Sequence, residues 1–390
     1  MKDAVNPGRK LIKKPPKPSK TLLRVERAKI EVRHAGRSFN HKHHVFIAKL
    51  KRGEIWALNY LSLGAKVGVT PLFEMWEPDP GTATKPAKTL EQHTKDLLSR
   101  VAAEWTALPF YLDTQYLGKP GAPSPANANT VFSIAQTLNL DTVPVTSPFF
   151  SPQFQQVIRN VIATDGRGVV FRLPINFFDD LQNVPGYLNG LVSALGTTRD
   201  QVDILIDLAF RPSVGEVQQL GSYALDNLPF IDEWRTVTLA SGCFPLSIAA
   251  SPLGTWIPFT RSDWIGWSVI SSQRASLGMR IPTYGDYGIR CGGRPAFIPN
   301  TPDPNLRYTA PQTVWVRKEP KAPGGTQIIC ADLIGQQFYS GPAFSEGDAQ
   351  IALKAATKDP KNGQAEQWIQ WCTNHHLELT ASQIQSLPWL

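Results

Sequence analysis

The amino-acid sequence predicts an α/β fold: a (β/α)8 TIM-like barrel with a basic N-terminal tail and a C-terminal α+β extension. Three observations carry that prediction. Apolar runs of strand length recur from residue 44 onward, helical patterns separate them, and eight such units occupy residues 44–288, 245 in all. A closed barrel of eight strands takes about 250. An open doubly wound sheet is the alternative, but its first turn is ordinarily glycine-rich, whereas LKRGEIW holds one glycine.

The strand candidates are VFIAKL (45–50), VTPLFEM (69–75), PFYLDTQ (109–115), TVPVTSP (142–148), VVFRLPI (169–175), DILIDLAF (203–210), RTVTLASG (235–242) and the less apolar RIPTYGD (280–286). Most are continuous apolar runs, as expected of parallel strands covered on both faces. Between them lie EIWALNYL, TLEQHTKDLLSRVAAEW, TVFSIAQTL, SPQFQQVIRNVIA, VPGYLNGLVSALG, SVGEVQQLGSYALDNL and RSDWIGWSVISSQ. Thr89, Ser151 and Ser213 stand where helix N-caps belong. Strands alternating with helices at this spacing imply right-handed βαβ units.

Residues 1–42 form the tail, 43–288 the barrel and 289–390 the extension. In the extension, YTAPQTVWVRKEP and GTQIICADLIG read as extended segments around Gly324 and Gly325, followed by helices at EGDAQIALKAATK and QAEQWIQWCTNHH. This part is expected to supply the last outer helix and a cap over one barrel end, without a core of its own. The tail carries 13 Lys or Arg against three acids, a net +10, while the whole chain is +8, so residues 43–390 carry −2. The basic character therefore belongs to the tail and not to the body. Its first part is Pro- and Lys-rich, and TLLRVERAKIEVRH adds a short strand or helix. Such a tail either grips a nucleic-acid backbone or is a solvated arm, since no aromatics interleave with its charges for stacking.

Composition excludes several classes. With 42% hydrophobic residues and eleven Trp, the chain has ample material for a core, which excludes global disorder. No run of about 18 apolar residues suggests a membrane span, and the N-terminus lacks an apolar signal region. A cytoplasmic protein with no membrane partner is expected. Cys243, Cys291, Cys330 and Cys372 are 39 to 48 positions apart, with no CxxC, and read as free thiols. Cys372 with His375 and His376 lacks further ligands and reads as helix surface.

The charges fall at one end of the strands. Lys49 and Lys51 follow from strand 1, then Glu54; Glu74 comes from strand 2, Asp113 from strand 3, Arg172 from strand 5 and Asp207 from strand 6. Strand 7 offers Ser241, and strand 8 offers Asp286 and Tyr287. Barrel active sites sit at that C-terminal face, and buried charges must pair or bind something. The expectation is a polar well at one barrel mouth. Asp203, at the start of strand 6, falls at the opposite face and reads as structural.

All seven histidines fall outside the strand ends, so histidine chemistry in the well is not expected. Ser241, in TLASGCF, lacks a nucleophile elbow, and no P-loop exists. What is left is carboxylates with Lys and Arg. Glu74, Asp113, Asp207 and Asp286 are the candidate catalytic set, either ligating Mg²⁺ through oxygen or supplying a general base. Lys49, Lys51 and Arg172 would clamp an anionic group, phosphate above all. No residues are assigned as a dedicated metal site.

LKRGEIWAL followed by VTPLFE resembles the start of the bacterial and phage "beta family" proteins. Further matches are VVFRLPI, DILIDLAF, SGCFP, YGDYG (284–288) and NLRYT (305–309) with Trp315 following, so the resemblance covers roughly residues 44–320. It implies a barrel protein found in bacteria, phages and mobile elements, often near genes of phage–host conflict. The family's polar positions correspond here to Lys49, Lys51, Glu54, Glu74, Asp113, Arg172, Asp207, Asp286, Tyr287 and Arg307. GDYGIRCGGRP departs from the family's simpler run after the DY pair. The functional expectation is action on a phosphate-bearing substrate, a nucleotide or nucleic acid, in a phage-defence or mobile-element setting. The alternatives are a sensor module of a defence complex that binds a ligand or a defence-system protein partner without turnover, and a nucleic-acid-binding protein acting through its tail.

Overall fold

The computed structural model describes residues 39–81, 86–105, 108–292, 303–357 and 361–389. All but the last four residues of the expected tail, TLLRVERAKIEVRH included, lie outside the described residues.

The strands are β1 (His44–Lys49), β2 (Val69–Trp76), β3 (Phe110–Tyr116), β4 (Thr142–Thr146), β5 (Val169–Pro174), β6 (Val202–Phe210), β7 (Thr236–Gly242), β8 (Ile257–Thr260) and β9 (Thr283–Asp286). All but β8 close into a parallel barrel in the order β1-β9-β7-β6-β5-β4-β3-β2. The (β/α)8 TIM-like barrel predicted from the sequence is thus the fold. Its helices are α1 (Arg52–Asn59), α2 (Leu63–Val67), α3 (Leu90–Glu104), α4 (Pro125–Thr137), α5 (Pro152–Asp165), α6 (Val184–Leu195), α7 (Val214–Asp226) and α8 (Ser262–Ser276). Thr89 completes a capping box with Gln92, and Ser151 and Ser213 accept from the amides of Phe154 and Glu216. Each thereby satisfies an amide that the helix itself leaves unpaired.

The barrel interior packs Val45, Ile47, Leu72, Tyr111, Val143, Val145, Val170 and Leu205 into one cluster. Its lower end is braced by Asp203, which accepts from Tyr111 at 2.8 Å, Thr236 at 2.8 Å and Arg235 at 2.7 and 2.8 Å.

Beyond the barrel, β10 (Asn305–Ala310) and β11 (Thr313–Lys318) form a hairpin joined by β8, in the order β8-β11-β10. Then follow α9 (Gly325–Leu333), α10 (Glu346–Ala356) and α11 (Ala365–Gln385). GTQIICADLIG, read as extended, is helix α9. Its adjacent isoleucines suggested a strand, but buried Ile329, Cys330 and Leu333 lie at helical spacing. The extension also holds an apolar cluster of its own, in which Leu306, Tyr308, Ile329, Leu333, Ile351 and Trp368 take part, against the expectation that it would have none. Helix α11 packs on α1, β10 and β1. Cys372, His375 and His376 on it are buried, not surface as expected, because both sides of this helix are covered. All four cysteines are free thiols. No helix among the described residues is long and apolar enough to cross a membrane.

Candidate functional site at the barrel mouth

Successive strand residues face opposite sides of a sheet, so parity decides which charges enter the barrel. In β1, Val45 and Ile47 belong to the core cluster, and Lys49 points inward with them. Register sets Lys49 beside Glu74 and Glu74 beside Asp113. Arg172 lies opposite core Leu205, and Asp207 follows two residues later. Tyr287, just past β9, joins the same interior. Six polar side chains therefore meet at the C-terminal end, all under 10% exposed.

Arg172 is their hub. Its Nη1 donates to Glu74 at 2.9 Å and Asp113 at 2.7 Å, its Nε and Nη2 donate to Asp207 at 2.9 and 2.7 Å, and Nη2 also reaches the Tyr287 hydroxyl at 2.8 Å. Tyr287 donates in turn to Asp207 at 2.7 Å. The backbone supports the hub: Gln115 donates to Asp113 from its amide at 2.9 Å, and the amide of Ala209 to Asp207 at 2.8 Å. Ala209 itself is held at φ +58°, a left-handed conformation that non-glycine residues adopt at a cost of about 1–3 kcal/mol. Three carboxylates on one guanidinium leave the hub acidic.

Burial pushes Glu74 up to about 7, Arg172 pulling it back and Asp113 adding repulsion. Burial likewise raises Asp113 against Arg172's pull. Burial works against the Arg172 charge too, but Tyr287, Asp207, Glu74 and Asp113 together hold it above the ordinary guanidinium value. Lys49 moves the other way: burial first, then the Arg290 charge, bring its ammonium down to about 8.

Not every expected residue joins this group. Asp286 is the main correction. It is in register with Phe46 and Ser241, while its inward neighbour Gly285 faces Val45, so Asp286 and Ser241 point out of the barrel. Asp286 accepts from His44 Nε2 at 3.0 Å, His376 Nε2 at 2.9 Å and the Gly288 amide at 3.0 Å. Burial opposes its charge, yet His44 and His376 hold its carboxyl well below the usual range. Histidines thus serve one of the predicted acids, although none among the described residues enters the Arg172 hub. Lys51 is also displaced, because β1 ends at Lys49 and Lys51 is the exposed N-cap residue of α1. Glu54 is buried on α1 and pairs with Arg290. Arg307 sits on β10, donates to the Ile289 carbonyl at 2.9 Å and lies over the Phe244 ring.

The expected Mg²⁺ set is not assembled. Three of its four carboxylates converge, but on the Arg172 guanidinium, which fills the cationic position between them, and Asp286 faces away. The residues that the sequence reading missed are His44, His376 and Arg290. Parity along RIPTYGD and HHVFIAK was the available signal for His44; His376 and Arg290 had none at short range.

Beside the hub lies a cleft of about 800 Å³, walled by the start of α1, the segment after β2, α3 and the start of α11. Lys51, Arg52, Lys88, Arg100 and Arg290 line it against Glu54, Asp79, Asp96 and Glu366. Several of these pair off: Arg52 with Glu366 at 2.6 Å, Lys88 with Asp96, Arg290 with Glu54. Among the described residues Lys51 makes no ion pair, and no side chain caps the first amides of α1. A smaller hollow of about 10 Å³ touches Lys49, Glu74 and Tyr287, and it shares Glu54 and Arg290 with the cleft.

Fold and site together define a TIM-like barrel protein with a buried, arginine-centred acidic hub at the strand C-termini. The chain matches the family described as Beta protein over residues 45–381 and belongs to that family. No curated protein matches it.

Proposed function

We propose that this protein binds a phosphate-bearing ligand, a nucleotide or a nucleic-acid end, in the cleft, and acts on it with Glu74 and Lys49 as proton-transferring groups. The observation that carries this reading is the Glu54–Arg290 pair, the wall common to the cleft and to the hollow over Lys49 and Glu74. The Lys51 ammonium, without an ion pair among the described residues, favours phosphate, the open N-terminus of α1 adds its dipole, and two groups that titrate near neutrality suit general acid–base work. The phage-defence or mobile-element setting implied by the resemblance, with its protein partner, belongs to the same proposal.

The test is calorimetric titration with nucleoside triphosphates and short oligonucleotides. Wild-type protein is expected to bind, and Lys51→Glu to weaken binding at least about tenfold, or 1.4 kcal/mol. Absence of binding to the wild type overturns the reading. One observation favours a second reading, a sensor without turnover: every hub carboxylate already accepts from Arg172. Recovery of bound nucleotide unchanged after prolonged incubation selects it.

A further inference from the structure

Of the inward-facing charges at the mouth, Lys49 alone makes no hydrogen bond or ion pair among the described residues. It is 7% exposed, its ammonium lies 5.3 Å from the centre of the Trp76 ring, and it borders the hollow shared with Glu74, Tyr287 and Arg290. Glu74 is its neighbour across the β1–β2 pair, yet that carboxyl is bonded to Arg172 and forms no ion pair with Lys49. A buried ammonium without an acceptor is costly, and the neighbouring Arg290 charge adds to the cost. Both act to release the proton. With Lys49 brought down to about 8 and Glu74 up to about 7, the free amine and the protonated carboxyl are each present as a minor fraction between those two values. In exposed lysine and glutamate the two values lie roughly six pH units apart, and both fractions together are negligible.

We propose that Lys49 is a nucleophilic amine that captures a phosphate-bearing aldehyde or ketone as an imine, with Glu74 as the proton donor. This rests on the cleft taking the phosphate and names the substrate class of the same site. The Lys49 nitrogen lone pair forms a bond to the carbonyl carbon, and a proton passes from nitrogen to the former carbonyl oxygen, giving a carbinolamine. The C–O bond then breaks. The hydroxyl leaves as water with the proton of Glu74, and the nitrogen lone pair forms the C=N bond of a protonated imine. Glu74 is left as a carboxylate, which Arg172 already faces. Water addition reverses each step.

The experiment treats the full chain with pyridoxal 5′-phosphate, reduces with borohydride and maps the modified lysines by mass spectrometry. The expected result is adduct at Lys49 at least tenfold above any exposed lysine, stronger than with phosphate-free pyridoxal, and suppressed by inorganic phosphate. Lys49→Arg abolishes it while keeping the charge, and Lys49→Met does so as a second, apolar replacement. If nucleotide binds in the cleft but only exposed lysines such as Lys51 are modified, the amine proposal fails by itself. If Lys49 is modified equally by both aldehydes and phosphate does not compete, the phosphate assignment fails and takes the cleft reading with it.

Discussion

Arg172 neutralises part of three carboxylates through four hydrogen bonds, and the cost of losing it follows from what stays behind. Arg172→Met leaves those acids buried together, so urea unfolding is expected to show a loss of about 3–5 kcal/mol. Glu74 makes the pH-dependent prediction. Its folded value is raised from 4.5 to about 7, so the folded chain retains a proton that the unfolded chain releases. The Glu74 contribution to stability therefore falls as pH rises from about 4.5 to about 7 and is flat beyond. At roughly 1.36 kcal/mol per unit, the loss is about 3 kcal/mol. Glu74→Gln keeps a neutral acceptor for Arg172, and its melting temperature should exceed the wild type's at pH 8 and match it near pH 4.5. The identities of these residues were legible in the sequence because charge at strand ends is conspicuous. Their partition was not: Glu74, Asp113 and Asp207 face in, whereas Asp286 faces out, and a shift of one position on a short strand changes the side.

Among the elements, the barrel strands were legible because each is a compact apolar run between turn residues and capped helices. Helix α4 begins earlier than its apolar pattern because Ser124 caps it and Pro125 opens it, features of a polar first turn that periodicity does not register. Helix α9 was misread for the opposite reason, since a β-branched pair is common to strands and to buried helix faces. Entry to β5, the strand of Arg172, depends on Gly168. It sits at φ +73°, and an added Cβ would lie 2.0 Å from the Gln201 carbonyl oxygen. Gly168→Ala is expected to lower stability by about 2 kcal/mol or more in urea unfolding, combining backbone strain with a steric clash.

At the scale of the molecule, the extension is fastened to the barrel by the clamp on Asp286. His376 reaches it from α11 and His44 from β1, and all three are essentially unexposed. The His376 Nδ1 meets the Thr309 hydroxyl of β10 at 3.0 Å, so one acid ties together two barrel strands, the hairpin and the last helix. Asp286→Asn removes the charge and one acceptor. Hydrogen exchange of residues 365–385 is expected to accelerate at least tenfold while α4 to α6 keep their protection. Equal acceleration throughout would show the clamp to be part of the global fold instead of a local fastening.

The sequence by itself determined the beat of strands and helices, the caps, the barrel class and the end of the barrel at which charge collects. All of these follow from periodicity and from costs incurred within a few residues. Only the tertiary structure decided that Arg172 gathers the acids, that Lys49 makes no hydrogen bond or ion pair among the described residues, and that Asp286 serves histidines 242 and 90 positions away. Those outcomes depend on how β1 meets β9 when the barrel closes and on which seam α11 covers, and no local pattern in the chain encodes either.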